Sequence, residues 1–480
     1  MVSRCTSHTT TRFSFIPLVL ALGGAAQAQE SATTLDAISV TGESYLEYKP
    51  ENTRSATRTD TPIKEIPQSI SVIPKEALED MGETGLVSAL EYGGVGQSNV
   101  YAGGMPSYTI RGFGGGTHYR NGMSTSVGYG AIPDAVGIES LDVMRGPSST
   151  TFGAGDPGGT FNVVSKKPLD YPEYGVGLSW NHFGGRRATA DLTGPLNESG
   201  TVLYRVNMAA SGGRTFRDHV RNHRVYAAPS LSWQLTPQTK AMLDVEWSRA
   251  DAPMDRGLPV SPQLRYGPPS RSFVINDPNA GRLRNKNTVT QLRLDHAFSD
   301  DWRLDVGLQR ITGGVDGYSV EPGSLQADGE TYSRTLRLRK NRWRSKLAQA
   351  YLNGKFQLAG MEHQVLLGAE YEQTYSLTDH RSSPSNLLPI NVYQPVYGVP
   401  LPKDRVAASN MRPGTDGYKR ALVVQDQLRV TDAFSVLAGL RYDNYRSEAP
   451  TASYKNNVIT PRLGASYAFS DEVSGYLSYS

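Results

Sequence analysis

The sequence predicts an all-β transmembrane barrel preceded by a smaller α+β domain, and three observations carry that prediction. The first is long alternation: Val202, Tyr204, Val206, Met208 and Ala210 put apolar groups on one face of an extended chain, with Arg205, Asn207 and Ser211 on the other. Similar runs recur at 241–247, 302–308, 422–430, 434–442 and 463–469. The second is the connections. TPQT, SDD, TDA and SDE are short and polar, whereas 248–287, 312–341 and 377–418 read as long loops, and short turns on one side with long loops on the other mark a membrane barrel. The third is composition. Hydrophobic residues are 38% of the 480 and mean hydropathy is −0.43, which excludes a helical membrane protein. A barrel tolerates this because only alternate side chains meet lipid; Gly 49, Pro 29 and Tyr 26 suit its turns and aromatic belts. A secreted β-helix or sandwich would share that composition.

From the N-terminus, Arg4 and Arg12 precede a short apolar run, Phe13 to Ala26, and then Ala26-Gln27-Ala28, so residues 1–28 read as a cleaved secretory signal. The only cysteine, Cys5, falls inside it, leaving no thiol for a disulfide, a metal site or a nucleophile in the mature chain. The net charge of +3 comes with no basic patch, so nucleic acid is not an expected partner. Residues 35–42, LDAISVTG, form a short β-branched run in polar surroundings and should be extended.

Residues 61–82 read as a turn, a strand through Ile70 and Val72, and a short helix opened by Pro74 and ended by Gly82. A second short helix is expected at 86–91. Thr109-Ile110-Arg111-Gly112-Phe113 reads as a strand end and Asn121-Gly122 as a tight turn. The most informative stretch is 138–168, IESLDVMRGPSSTTFGAGDPGGTFNVVSKKP. Its first run alternates and stops at Arg145-Gly146-Pro147, where a sharp turn is forced. Gly153, Gly155 and Gly158 fit a dinucleotide-binding spacing, but that reading needs a helix where Thr160 to Val164 reads as a strand.

These motifs resemble the plug domain of TonB-dependent outer-membrane siderophore receptors, with mild departures at Asp142, Phe152 and Phe161. The resemblance implies a barrel of about 22 antiparallel strands enclosing the plug, of which roughly a dozen are present. It also implies a chain truncated at the C-terminus, since the text stops inside a strand at Tyr479-Ser480. The implied divisions are a signal at 1–28, a TonB box and linker at 29–60, the plug at 61–168 and a partial barrel at 169–480. Asp36, Ala37, Ile38, Ser39 and Val40 resemble the TonB box, which adds as a strand to the edge of TonB's periplasmic sheet, TonB acting with its inner-membrane energising complex.

The function implied is energy-coupled uptake of a ferric siderophore at the Gram-negative outer membrane, in contact with its lipid. Another cargo such as cobalamin stays open, as does a passive porin or adhesin barrel. Arg111 and Arg145 would lock the plug by pairing with glutamates on the barrel wall. Cargo contacts would come from Tyr101, Thr117, His118, Tyr119 and Tyr129 in glycine-rich plug loops, because aromatics give a bulky chelate flat contact with a polar tip. Iron would be held by the chelator's oxygens, so neither a cofactor nor protein metal ligands are expected. Catalytic readings fail: His219 and His223 are spaced i, i+4 without the Glu of a zinc protease, and Ser148-Ser149 lacks the flanking pattern of a nucleophile elbow.

Overall fold

A computed structural model describes residues 48, 50–82, 86–101, 105–114, 117–128, 133–153 and 155–480. The expected signal at 1–28 and the segment Asp36 to Val40 lie outside the described residues, as does Tyr129. The N-terminal domain is built on a five-stranded sheet whose order is Ser69–Pro74, Ile138–Arg145, Gly159–Ser165, Thr117–Arg120 and Met123–Ser124. Ile138–Arg145 is an interior strand, and both of its faces are apolar: Ile138, Leu141, Val143 and Met144 are all buried. Helices Lys75–Asp80 and Leu86–Tyr92 contribute Leu78, Leu86, Ala89 and Leu90 to a core that also contains Ile110, Phe161 and Val163.

Two turns explain the glycine-rich text. Asn121 (φ 49°) and Gly122 (φ 76°) are both left-handed, the two-residue hairpin geometry that Asn-Gly favours. At Pro157-Gly158-Gly159 the chain passes so close to its neighbours that a Cβ on Gly158 would sit 2.0 Å from the Ile110 carbonyl oxygen, and one on Gly159 2.4 Å from that of Met144. No side chain fits at either position.

The remainder forms a 14-stranded antiparallel sheet in which each long strand pairs with its neighbours in sequence, from Glu173–Trp180 to Ser474–Tyr479; the short Ile390–Asn391 strand pairs off the path. Among the described residues the two end strands do not pair with each other. Also among the described residues, no helix is long and apolar enough to cross a membrane. The faces are read from contacts with the N-terminal domain. Glu246, Gln291, Gln309, Glu370 and Gln425 point inward onto it, whereas Leu243, Leu292, Leu308, Tyr371 and Leu422 are exposed on the other face. This alternation of a polar inner face and an apolar outer belt is that of a membrane barrel.

One expectation is overturned. Residues 312–341 are not a long loop but the upper halves of two strands, Trp302–Leu325 and Thr331–Leu358, joined through 326–330. Their alternation of apolar and polar residues fades because neither face meets lipid there, although the backbone ladder continues for 28 residues. The loops expected at 248–287 and 377–418 are real but shorter, since the flanking strands run to Ala252 and Ser382 and resume at Leu283 and Ala407.

Candidate plug lock and inner wall

The N-terminal domain is fastened to the barrel wall by buried polar groups. Residues 52–62 form a strap that starts on the sheet: the Thr53 and Ser55 hydroxyls donate to Asp142 at 2.9 and 2.5 Å, and Ser140 donates to its other oxygen at 2.7 Å. Burial raises the pKa of Asp142 above its ordinary value, and the three hydroxyl donors oppose that rise. The strap then reaches the wall, where Arg54 pairs with Asp305 at 2.7 Å.

Arg58 (φ 61°) is the centre of the first lock. Its guanidinium donates to the Gly122 carbonyl at 2.9 Å, lies 4.5 Å from the Tyr351 ring centroid, and pairs with Glu370 at 3.3 Å. Glu370 also meets Arg441 at 2.7 Å and Lys419 at 3.5 Å, while Asp443 pairs with Arg441 at 2.8 Å. One inward carboxylate therefore carries a plug arginine and two wall cations, with all of these groups shielded from bulk water.

Arg120 forms the second lock, with Glu246, whose carboxylate also accepts from Tyr226 at 3.1 Å. Burial opposes the charge on Arg120, and the Glu246 carboxylate more than offsets it, so its pKa is raised. Beside it, Asn121 donates to Gln291 at 2.8 Å, and Gln291 donates back to the Arg120 carbonyl at 2.9 Å.

The third contact is apolar. Trp343 lies in a slot between Gly128 and Gly313: a Cβ on either glycine would come within 2.3 Å of the indole. Val127, Met254, Leu283, Val289, Ile311 and Val315 pack in the same cluster, and the indole nitrogen donates to Asn287 at 3.1 Å. Above Trp343 on the same inner face the wall turns basic. Arg339, Arg337 and Arg256 converge on Glu321, with Arg337 at 3.4 Å.

Neither Arg111 nor Arg145, the expected lock, pairs with a wall carboxylate among the described residues. Arg145 donates to Ser71 at 3.0 Å, to Ser69 at 3.4 Å and to the Gly93 carbonyl, so it fastens the end of the Leu86–Tyr92 helix to the sheet. Ser69 is its direct cross-strand neighbour, which turns the side chain toward the domain's own interior. Arg111 is exposed, in a left-handed turn at φ 53° before Gly112.

Among the cargo candidates, His118 is half-buried and stacks on Phe161 with ring centroids 5.6 Å apart. Tyr119 points to the opposite face, as strand alternation demands, and is buried against Phe152 at 4.2 Å with its hydroxyl donating to the Phe152 carbonyl. It belongs to the core, not to a vestibule. Tyr119→Ala is expected to destabilise the domain by about 3 kcal/mol while leaving the cargo affinity of folded molecules unchanged. Chemical denaturation alongside equilibrium binding separates the two effects. Tyr101 ends the strand Val95–Tyr101 and Thr117 begins the strand Thr117–Arg120, which belong to different sheets.

Sequence reasoning missed Arg58, Arg120, Glu246, Glu370 and Trp343. The available signal was weak: Glu370 stands at a polar position of an alternating strand, and Arg120 precedes the Asn-Gly turn.

Comparisons with known proteins agree with this architecture. Residues 62–160 match the TonB-dependent Receptor Plug Domain, and residues 230–480 match the family described as TonB dependent receptor-like, beta-barrel. The metal-pseudopaline receptor CntO of Pseudomonas aeruginosa is 35% identical over 468 residues, covering 92% of this chain and 65% of that protein. The ferric-pyoverdine 358 receptor of Pseudomonas putida is 25% identical, covering 94% of this chain and 58% of its own length. The chain thus spans about three fifths of the curated relatives it matches. In fold it is similar to the receptor in the FpvAI–pyocin S2 complex (TM-score 0.80, 21% identity, 90% of this chain and 60% of that one). The siderophore receptor PiuA of Acinetobacter baumannii is similar too (TM-score 0.79, 19% identity, 90% and 66%). With a plug model over its first third and a barrel model over more than half its length, the chain belongs to the TonB-dependent receptor family.

Proposed function

We propose that this chain belongs to a receptor that takes up a metal–chelator complex across the outer membrane, driven by TonB through residues Asp36 to Val40. The observation that carries the reading is the character of the plug's seat. It is held by Arg58–Glu370 and Arg120–Glu246 ion pairs and amide hydrogen bonds, with apolar contacts at Trp343 and at Val136, which packs on Ala209, Tyr226 and Ala228. A permanent stopper would be seated by apolar packing. Polar contacts can instead be exchanged for water one at a time, as a plug that must be displaced and reseated requires. A passive porin needs neither the plug nor such a seat.

A ferric siderophore is the favoured cargo, supported by relatives that are pyoverdine and ferrioxamine receptors by name. The 35% identity to a metal-pseudopaline receptor favours a second reading, in which the same machinery takes a chelate of another metal. Arg256, Arg337 and Arg339 around a single Glu321 suit an anionic chelate in either case. The chelator supplies the metal's ligands, so no resident cofactor is required of the protein.

Deleting residues 35–41 in the receptor as its gene encodes it tests the coupling. Chelate binding should survive and accumulation stop; continued accumulation would reject energy-coupled uptake. Loading the chelator with radiolabelled iron or zinc distinguishes the two cargo readings.

A further inference from the structure

The two longest loops of the barrel are built as one packed body on the tall hairpin between them. On the strands Trp302–Leu325 and Thr331–Leu358, Val320, Arg334 and Leu336 alternate with Glu321, Arg337 and Arg339, so the hairpin beyond the lipid belt has two faces. One face carries the basic cluster around Glu321, and the other is covered by the loops 253–282 and 383–406. Phe273 and Ile275 of the first loop and Ile390 and Val392 of the second pack with Tyr332 of the hairpin, none of them more than 7% exposed. Nearer the barrel, Ala280 and Leu388 close on Val320 and Leu336.

Polar groups tie the body together. Arg334 is fully buried; it donates to the Ile275 carbonyl at 3.0 Å and to the Leu388 carbonyl at 2.8 Å, fastening both loops to the hairpin through one side chain. Its guanidinium lies 4.0 Å from Asp277, which is equally buried and accepts from the backbone N–H of Asn279 at 2.9 Å and of Gly398 in the other loop at 3.1 Å. Tyr397 donates to the Val274 carbonyl at 2.8 Å, and its ring meets His219 of a third loop, 215–220, with centroids 4.7 Å apart. That loop is also joined through Arg217, which donates to the Phe273 carbonyl at 2.7 Å.

Segments that open on a ligand are drawn from those with few buried apolar contacts, and these loops have an interior instead. The hairpin needs it. Its neighbouring strands end at Arg284, opposite Asp316, and at Ser382, opposite Arg337, and a hairpin of two strands is marginal by itself. We propose that Arg334 and Asp277 are positioning residues that hold the three loops and the hairpin as one preformed collar. The Arg337–Arg339 face is then a fixed wall, and the loops 253–282 and 383–406 do not close over cargo. What the wall faces rests on the uptake reading; whether the collar is fixed does not, and it is measured without cargo.

Amide exchange of the receptor as its gene encodes it, purified in detergent, is followed at 273–277, 331–339 and 388–392. In the parent all three should be protected and should open together as denaturant rises. Arg334→Gln should speed all three by roughly 100-fold or more, because it leaves Asp277 buried without its cation, while the barrel ladder at 241–247 keeps its rate. A second variant, Thr331→Cys with Asn391→Cys, uses a registered cross-strand pair whose Cα atoms should lie about 5 Å apart, within reach of a disulfide. The only other cysteine, Cys5, lies in the expected signal. The disulfide should close under mild oxidant and, combined with Arg334→Gln, return 331–339 and 388–392 toward the parent rate, with reduction reversing the rescue. Rapid exchange at 273–277 or 388–392 in the parent, with 331–339 still protected, would overturn the collar and make those loops gates. An Arg334→Gln effect confined to 331–339, or a cysteine pair that fails to close, would overturn it as well. None of these results touches energy-coupled uptake, which the deletion of 35–41 decides separately.

Discussion

Glu370→Gln is expected to loosen the plug by about 3–5 kcal/mol. The substitution keeps volume and shape but removes the only carboxylate that Arg58 and Lys419 share, leaving two cations and Arg441 together in a buried space where Asp443 compensates Arg441 alone. The barrel strands do not depend on this contact, so the loss should be local. Amide exchange across Thr53 to Thr59 and at Gly122, which Arg58 also holds, should accelerate while the barrel ladder stays protected. Because the damage is an uncompensated charge, adding Arg58→Gln should restore part of the loss, a coupling that additive effects would not produce. Unchanged protection of the strap in Glu370→Gln would show that the cluster does not hold the plug.

Trp343→Ala is expected to cost a similar amount, about 3–5 kcal/mol, by another mechanism. The indole fills the space between Gly128 of the plug and Gly313 of the wall, and no neighbour can move in to replace it because both flanking positions lack side chains. The variant should unfold at a lower temperature and release the 125–128 segment, whose Val127 packs in the same cluster. Trp343→Phe should retain most of the packing and lose mainly the bond to Asn287, about 1 kcal/mol. A thermal midpoint unchanged in the alanine variant would mean that the slot is not a seat. Screening acts on exposed charges, so neither buried contact should respond strongly to salt.

What was legible in the sequence is what neighbouring residues decide. The Arg145-Gly146-Pro147 turn and the Asn121-Gly122 hairpin are local backbone constraints, and each could be read from a few letters, whereas the approach of Gly158 and Gly159 to the Ile110 and Met144 carbonyls is a tertiary contact. The barrel's polar inner face and apolar belt followed from a period of two. That period failed throughout 312–341 and at the margins of the loops expected at 248–287 and 377–418, where the strands continue although the apolar–polar pattern fades.

The sequence by itself thus determined the fold class, the motif turns and the resemblance to a receptor family, because short-range sterics and face alternation are properties of the chain alone. The tertiary structure decided which arginines bind the plug. Arg145 stands in the most recognisable motif yet serves its own domain, whereas Arg58 and Arg120 stand in unremarked text and meet Glu370 and Glu246 across more than a hundred residues. It also moved Tyr119 from a cargo face to the core. Partner choice of this kind depends on the register of every strand between the two residues. A shift of one position in that register would turn each inward charge toward lipid, and no short stretch of sequence carries that information.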